Sequence, residues 1–110
     1  MTKTGDTLYT MEGIDRVLVT YNGILEAAAL LYADGANLLD PLLSPVYGDL
    51  SGFPATYLVT GTRDMFLSDA ARVHRKLRDA GVEADLNVYE GLSHAEYAFV
   101  ADSPEHESTY

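Results

Sequence analysis

An aspartate and a histidine each follow an apolar run that could form a strand. In open α/β sheets, reactive side chains lie just beyond the carboxyl ends of the strands. Asp64 comes four residues after the run 55–60, and His94 comes five residues after the run 84–89. A carboxylate on one imidazole nitrogen fixes the histidine tautomer and leaves the other nitrogen free to accept a proton from a hydroxyl group. This pair therefore indicates acid–base chemistry that activates a hydroxyl nucleophile. Asp69 is the alternative acid, and Asp64 is favoured because it stands nearer to the end of the run.

The apolar runs predict the elements that position this pair. Residues 55–60 are β-branched, aromatic and nearly continuous in apolarity, which predicts a buried strand of a parallel sheet covered on both faces. Residues 67–80 place apolar side chains on one helical face, and residues 84–89 alternate like a less buried strand. This order predicts one right-handed βαβ unit. Because neighbouring parallel strands bring their carboxyl ends together, we expect Asp64 and His94 to lie in contact.

The first part of the chain has weaker patterns. Residues 1–10 show no period and are expected to be irregular. An apolar stripe predicts a helix over residues 23–33, with Asn22 as its cap and Gly35 as its stop. The members of the stripe are Ile24, Leu25, Ala28, Leu31 and Tyr32. Residues 17–19 fit either a strand or an extension of this helix.

Prolines and polar residues mark the remaining segments. Residues 40–54 hold three prolines and two glycines, which predicts a shaped loop. A short helix is expected to begin at Glu96, and residues 102–110 are expected to form a polar tail. We therefore expect a partial α/β fold in one piece. In it, residues 1–54 form a helical segment and loop, and residues 55–101 form the βαβ unit with the acid and histidine loops.

The charge balance argues against several classes of partner. The chain has 17 acidic against 7 basic residues and a formal charge of −10, which repels nucleic-acid phosphates and anionic lipids. Neither nucleic acid nor a membrane is therefore expected as a partner. The four bases Arg72, Arg75, Lys76 and Arg78 are expected to form a solvated helix face.

Composition also bears on cofactors and location. The chain has no cysteine, and its histidines and acids show no metal-ligand spacing, so no metal or cofactor is expected. No apolar leader follows Met1, and no apolar run is long enough to cross a bilayer. These features favour a cytoplasmic location.

Three stretches together are similar to one known family. They are Asp40-Pro41-Leu42-Leu43-Ser44-Pro45, Gly61-Thr62-Arg63-Asp64 and Gly91-Leu92-Ser93-His94. In this order they resemble the end of the hormone-sensitive-lipase-like branch of the α/β-hydrolases, which comprises bacterial carboxylesterases and lipases. The resemblance runs from about Lys3 to Val100 and corresponds to the C-terminal portion of a family member. It implies an ester hydrolase in which Asp64 orients His94, and His94 is the general base of a Ser-His-Asp triad.

The chain lacks the family motifs that supply the nucleophile and the oxyanion hole. Members carry a Gly-x-Ser-x-Gly turn that presents the nucleophilic serine, and an upstream His-Gly-Gly-type loop that forms the oxyanion hole. Neither pattern occurs in the 110 residues. The resemblance thus implies a C-terminal fragment that supplies an acid and a histidine for a small-molecule ester substrate. The chain alone is expected to be inactive.

A non-catalytic role is the alternative interpretation. A two-stranded parallel sheet has open edges and buries little apolar area. A chain of this kind is expected to dimerise, or to dock onto a complementary hydrolase fragment, as a remnant or an interaction module. A compact monomer in solution is therefore not expected.

Ser93 permits another interpretation of the histidine loop. Residues 91–95 fit Gly-x-Ser-x-Ala, which would make Ser93 a nucleophile on a sharp turn. No separate histidine is well placed to serve it, because His94 is its neighbour, His74 lies mid-helix among arginines and His106 lies in the tail. Asp64 also has a purely structural interpretation, as the N-cap of the helix that follows it.

Overall fold

Four helices and a two-stranded parallel sheet form within residues 6–99, which are the residues that the structure, a computed structural model, describes. In chain order the elements are α1 (Thr7–Thr10), α2 (Glu26–Ala33), β1 (Thr56–Gly61), α3 (Leu67–Asp79), β2 (Ala84–Tyr89) and α4 (Glu96–Phe99). A kinked π-type turn, Tyr21–Leu25, leads into α2, and a 3-10 turn, Pro45–Tyr47, lies in the loop before β1. The expected tail at 102–110 lies outside the described residues.

The strands and α3 confirm the predicted βαβ arrangement. β1 pairs with β2 in parallel, in a register that runs from Thr56 opposite Ala84 to Gly61 opposite Tyr89. α3 connects the two strands and packs against both. β1 is less covered than the sequence predicted, because Tyr57 is exposed and its neighbours are only partly buried. Both strands end on the same edge of the sheet, and this edge carries the loops of interest.

The core of the described part lies between α3, the sheet and the preceding loop. Its buried members are Leu50, Leu77 and Ala84, and Leu58, Val73 and Val82 pack around them. Val73 and Leu77 are four residues apart, so one face of α3 supplies both. Truncating a fully buried leucine such as Leu77 to alanine typically costs about 2–5 kcal/mol of unfolding free energy. This small core fixes the position of α3 and therefore of the loop before it.

Three of the four bases on α3 contact other segments, so the predicted solvated face is wrong in part; one of these contacts is a hydrogen bond from Arg78 to the Ala84 carbonyl oxygen at 3.4 Å. Arg72 forms an ion pair with buried Asp6 at 2.8 Å. The Lys76 ammonium donates hydrogen bonds to the carbonyl oxygens of Val46 and Gly48 at 2.7 and 2.6 Å. These contacts fasten Asp6, the N-cap of α1, and the proline-bearing loop to α3.

The expectation of an irregular stretch over residues 1–10 is wrong where the structure describes it, because α1 forms there. Asp6 caps this single turn by accepting a hydrogen bond from the Leu8 amide at 3.0 Å. Thr7 donates from its hydroxyl to the Met65 carbonyl oxygen, and its amide donates to the Ser68 hydroxyl. The contacts of Thr7 come from residues far away in sequence, so apart from the cap at Asp6 the local pattern carries no sign of the turn.

The helix expected over 23–33 begins later, at Glu26, and buries a different stripe. Asn22 lies within the kinked turn and has non-helical backbone angles, so it is not the cap. The helix ends before Asp34 and Gly35, which both have positive φ, as the stop at Gly35 predicted. Ala33 is buried, and Leu25 and Ala29 line an apolar groove. These three side chains form the inner stripe, which shares only Leu25 with the predicted one.

Most of the predicted stripe instead faces outward. Ile24, Leu31 and Tyr32 are 86%, 82% and 81% exposed, and Leu30 is also exposed. We call these four side chains the α2 face. Four strongly exposed apolar side chains within nine residues make this segment a candidate surface for another polypeptide.

The remaining segments before β1 are turns. Residues 17–19 form neither a strand nor a helix, and Val19 has a positive φ of 64°. Residues 40–54 form the shaped loop that its prolines and glycines predicted. Within residues 6–99, no helix has the length and apolarity needed to cross a membrane.

Candidate active site at the strand ends

The loops that follow β1 and β2 are joined by backbone hydrogen bonds. The Thr62 amide donates to the Tyr89 carbonyl oxygen at 3.0 Å, and the Arg63 amide donates to the Leu92 carbonyl oxygen at 3.0 Å. The Gly91 amide donates to the Thr62 hydroxyl at 2.7 Å. These bonds extend the parallel pairing beyond the strands, so the two loops are held side by side.

Asp64 and His94 meet at this junction, as the strand order predicted. His94 Nδ1 lies 3.1 Å from Asp64 Oδ1. Because an ionised carboxylate only accepts hydrogen bonds, Nδ1 carries the proton and donates it to Asp64. Nε2 of the neutral ring is then the basic nitrogen. The predicted contact is confirmed, and its catalytic role is considered below.

Asp64 is buried and receives two further hydrogen bonds. The Thr60 hydroxyl donates to Oδ2 at 2.8 Å, and the Phe66 amide donates to Oδ1 at 2.8 Å. The bond from Phe66 closes a turn just before α3, so Asp64 orders the start of the helix without being its N-cap. The carboxylate therefore has a structural role together with its contact to His94.

The surroundings of Asp64 and His94 favour the charged form of each. Burial alone raises the pKa of Asp64, but hydrogen bonds from His94, Phe66 and Thr60 outweigh it and hold the pKa below its ordinary value. The hydrogen bond to Asp64 raises the pKa of His94 above its ordinary value, against the opposing effect of burial. The charges of Asp64 and Asp15 act in the same direction.

The imidazole of His94 remains accessible. Its side chain is 37% exposed, whereas that of Asp64 is 5% exposed. The ring of Phe66 packs edge-on against it, with centroids 5.5 Å apart and an interplanar angle of 67°. A histidine held by a buried carboxylate on one side and partly open to solvent can exchange a proton with a bound group.

The alternative acid, Asp69, lies in a different environment. Its carboxylate is 3.9 Å from Arg72, next to the buried Asp6, and it lines the apolar groove beside α2. Burial and the nearby charge of Asp6 raise the pKa of Asp69. The carboxylate that contacts His94 is therefore Asp64.

The interpretation of Ser93 as a nucleophile is wrong. Ser93 is completely buried, and its hydroxyl oxygen accepts a hydrogen bond from the Arg16 amide at 2.9 Å. Its amide donates to the Glu96 carboxylate at 2.7 Å, which is typical of a capping box before a helix. His74, on α3, contacts the Ala84 carbonyl oxygen at the start of β2 through Nε2, and His106 lies outside the described residues. Ser93 thus shapes the histidine loop.

Three side chains around the pair were not identified from the sequence, and one of them is Phe66, whose ring contacts His94. Thr60 stands at the end of β1, four residues before Asp64, and could have been found from that spacing. Asp15 contacts the amides of both loops from a distant turn, and no sequence signal marks it. Among the described residues, no group of three or more histidine or acidic side chains could hold a metal ion.

Comparison with known proteins identifies the family. Residues 2–98 match the family model described as alpha/beta hydrolase fold. The chain belongs to this family. A curated relative of this hydrolase chain, named "Esterase", comes from Acinetobacter venetianus and is 33% identical over 66 residues. That match covers 60% of the chain and 22% of the relative.

Solved structures agree with this assignment. The hydrolase chain is similar to esterase E25, with 59% identity and a TM-score of 0.92, over 97% of the chain and 33% of the esterase. It is also similar to an esterase from the bacterial hormone-sensitive lipase family, with 32% identity and a TM-score of 0.83, over 99% of the chain and 36% of that esterase. The predicted hormone-sensitive-lipase-like resemblance is confirmed, and the chain spans about a third of the length of these structures.

Proposed function

We propose that this chain supplies the acid and the histidine of a carboxylic ester hydrolase, as its C-terminal portion. The observation that carries the proposal is the Asp64–His94 hydrogen bond at the strand ends of a chain from the α/β-hydrolase family. In this role His94 is the general base and Asp64 orients it. The serine and the oxyanion hole belong to a complementary hydrolase segment, since the 110 residues contain neither motif.

The geometry suits each proton transfer of ester hydrolysis. His94 Nε2 takes the proton from the serine hydroxyl as its oxygen attacks the ester carbonyl carbon. The resulting imidazolium is stabilised by Asp64, which accepts the Nδ1 proton in a hydrogen bond throughout. Nε2 then gives its proton to the leaving alkoxide, and the alcohol departs from an acyl-serine. In the second half, Nε2 takes a proton from water and returns it to the serine, which releases the carboxylic acid.

A chimera tests this proposal. In it, this chain replaces the matching third of esterase E25, to which it is 59% identical. We expect hydrolysis of p-nitrophenyl butyrate by the chimera, and a fall in kcat of about four orders of magnitude in Asp64→Asn and at least as much in His94→Ala. Asp69→Asn is the matched control, since it removes a neighbouring carboxylate from the same helix start and is expected to retain activity. Full activity in His94→Ala would refute the assignment.

We also propose that the chain pairs with another polypeptide surface. The α2 face is exposed, and the described sheet has only two strands, so apolar side chains and strand edges both lack cover. The occupant that we favour is the complementary hydrolase segment that carries the serine, because this interaction would also complete the site. A second copy of the chain is the alternative occupant. When the segment is absent, a second copy is expected to take the same surface, so the isolated chain self-associates.

A further inference from the structure

Asp15 is a buried carboxylate in a turn between α1 and α2, far from the sheet in sequence. Its Oδ1 accepts hydrogen bonds from the amides of Val17 at 2.8 Å and Leu18 at 3.1 Å, which close its own turn. Its Oδ2 accepts a hydrogen bond from the Met65 amide at 2.9 Å. The His94 amide donates to Oδ1 at 3.4 Å. One side chain therefore contacts the backbone of both loops at the candidate active site.

These contacts involve the backbone next to Asp64 and that of His94 itself. Met65 directly follows Asp64 in the acid loop, and His94 is itself the candidate base. The bonds connect residues that are 50 and 79 positions apart in the chain. The next residue, Arg16, adds a third connection, because its amide donates to the Ser93 hydroxyl oxygen. The turn thus binds the acid loop and the histidine loop at once.

A carboxylate is the side chain that this position requires. Both of its oxygens accept, so it can satisfy amides that approach from opposite sides. An asparagine would turn its NH2 group toward one of those amides and leave two donors facing each other. A serine accepts from the amides of its own turn but is too short to reach Met65 as well. A buried charge is costly unless it is fully hydrogen-bonded, and Asp15 meets this condition.

We propose that Asp15 is a positioning residue that sets the distance between Asp64 and His94. By holding the backbone on both sides of the pair, its carboxylate keeps the imidazole Nδ1 within hydrogen-bond distance of Asp64. The catalytic meaning of this role rests on the proposed function, but the geometric role does not. Asp15 acts through the two loops and does not contact the imidazole nitrogens.

A double-mutant cycle on the isotope-labelled full chain tests the proposal, with the His94 pKa followed by NMR as the readout. Asp15→Asn and Asp15→Ser are each made alone and in an Asp64→Asn background. Either change alone is expected to lower the His94 pKa. If Asp15 acts by positioning the pair, most of this shift disappears once Asp64 is replaced, because no pair remains to be positioned. Asp40→Asn, which removes a charge from a similar exposed turn, is expected to leave the His94 pKa unchanged.

Two results would overturn the proposal. A shift of equal size in both backgrounds would mean that Asp15 acts on His94 only through its charge. An unchanged His94 pKa in the Asp15 variants would mean that it does not position the pair at all. An inactive E25 chimera leaves this cycle intact, so failure of the proposed function and failure of the positioning role are distinguishable.

A measurement on the unmodified chain covers the case in which the Asp15 variants fail to fold. The Met65 amide donates to Asp15 Oδ2, so a through-hydrogen-bond scalar coupling is expected between the Met65 amide nitrogen and the Asp15 carboxyl carbon. The Val17 amide, which donates to the same carboxylate within its own turn, is the internal reference for this coupling. A coupling from Val17 without one from Met65 would show that the connecting bond is absent, which refutes the proposal.

Discussion

Gly61 packs directly against the backbone carbonyl of Leu92, so the two loops of the candidate site touch where β1 ends. A Cβ atom built on Gly61 would overlap the Leu92 carbonyl oxygen, which belongs to backbone and cannot move aside like a flexible side chain. The requirement here is space, and glycine is the residue that provides it. The close approach lies three residues before Asp64 and two before His94 in their respective loops.

Gly61→Ala is therefore expected to push the two loops apart. We expect a loss of about 1–3 kcal/mol in the free energy of unfolding, as is typical of overpacking, and a fall of the His94 pKa as its bond to Asp64 lengthens. Urea denaturation and NMR titration measure the two effects. Gly23→Ala is the control, because a Cβ at position 23 meets open space. Equal stability of the two variants would contradict the close contact.

Stability is expected to depend on pH through the Asp64–His94 pair. A carboxyl whose pKa is lowered by folding stabilises the fold at pH values above its pKa in the unfolded chain. This stabilisation is lost as pH falls through its pKa in the folded chain. An imidazole whose pKa is raised by folding stabilises the fold at pH values below its pKa in the unfolded chain. This stabilisation is lost as pH rises through its pKa in the folded chain. The contribution is thus largest between the ordinary values of 3.8 for Asp64 and 6.5 for His94.

His94→Gln isolates this contribution. The difference in unfolding free energy between the unmodified chain and the variant is measured by urea denaturation from about pH 3 to about pH 9. It is expected to be greatest in mildly acidic solution and to shrink on both sides. A difference that stays constant over the whole range would show that the ion pair does not contribute.

The isolated chain is expected to show no triad-dependent esterase activity. The sequence holds no serine elbow, and the serine beside His94 is buried with its hydroxyl oxygen bonded to the Arg16 amide. Hydrolysis of p-nitrophenyl acetate and butyrate is compared among the unmodified chain, His94→Ala and Ser93→Ala. Turnover above background that both substitutions abolish would restore Ser93 as a nucleophile.

The α2 face is expected to drive association of the chain. Burial of Ile24 and Leu31 at an interface would remove two of its most exposed apolar side chains from water. Sedimentation equilibrium at physiological salt is expected to show a dimer or larger species. The double variant Ile24→Ser/Leu31→Ser is expected to be monomeric, whereas Leu42→Ser, at an equally exposed leucine in a loop, is expected to behave like the unmodified chain.

A monomer with a sharp cooperative melt would contradict self-association. In that case the complementary hydrolase segment remains the occupant to test, and its binding is expected to be weakened by the same double variant. If the segment binds the double variant and the unmodified chain equally well, the α2 face is not the docking surface.

The elements around the site were predictable because their signals are local. The run before Gly61 and the alternating run before Glu90 each specify a strand, and the apolar face that holds Val73 and Leu77 specifies the helix between them. The parallel order of the strands then brings Asp64 and His94 together at their carboxyl ends.

The parts that were not predicted depend on contacts between distant residues. α1 is fastened by Ser68 and Met65, and the loop before β1 is fastened by Lys76, none of which the local pattern reveals. The inner stripe of α2 keeps Leu25 from the predicted stripe but continues through Ala29, because these two side chains meet a groove formed by other segments. Asp15 is the clearest example, because the sequence around it does not indicate that it contacts Met65, 50 residues away.

The contacts of Asp15 also have a consequence for the order of events in folding. The hydrogen bond between Asp15 and His94 joins residues 79 positions apart, so a large loop must close, at an entropic cost, before the bond can form. In contrast, β1, α3 and β2 are neighbours along the chain. The sheet can therefore assemble first, with the acid and histidine loops still loose. The candidate site then forms last, when the turn at Asp15 docks onto the two loops. Pulsed hydrogen exchange during refolding is expected to show the Met65 amide protected later than the amides of β1.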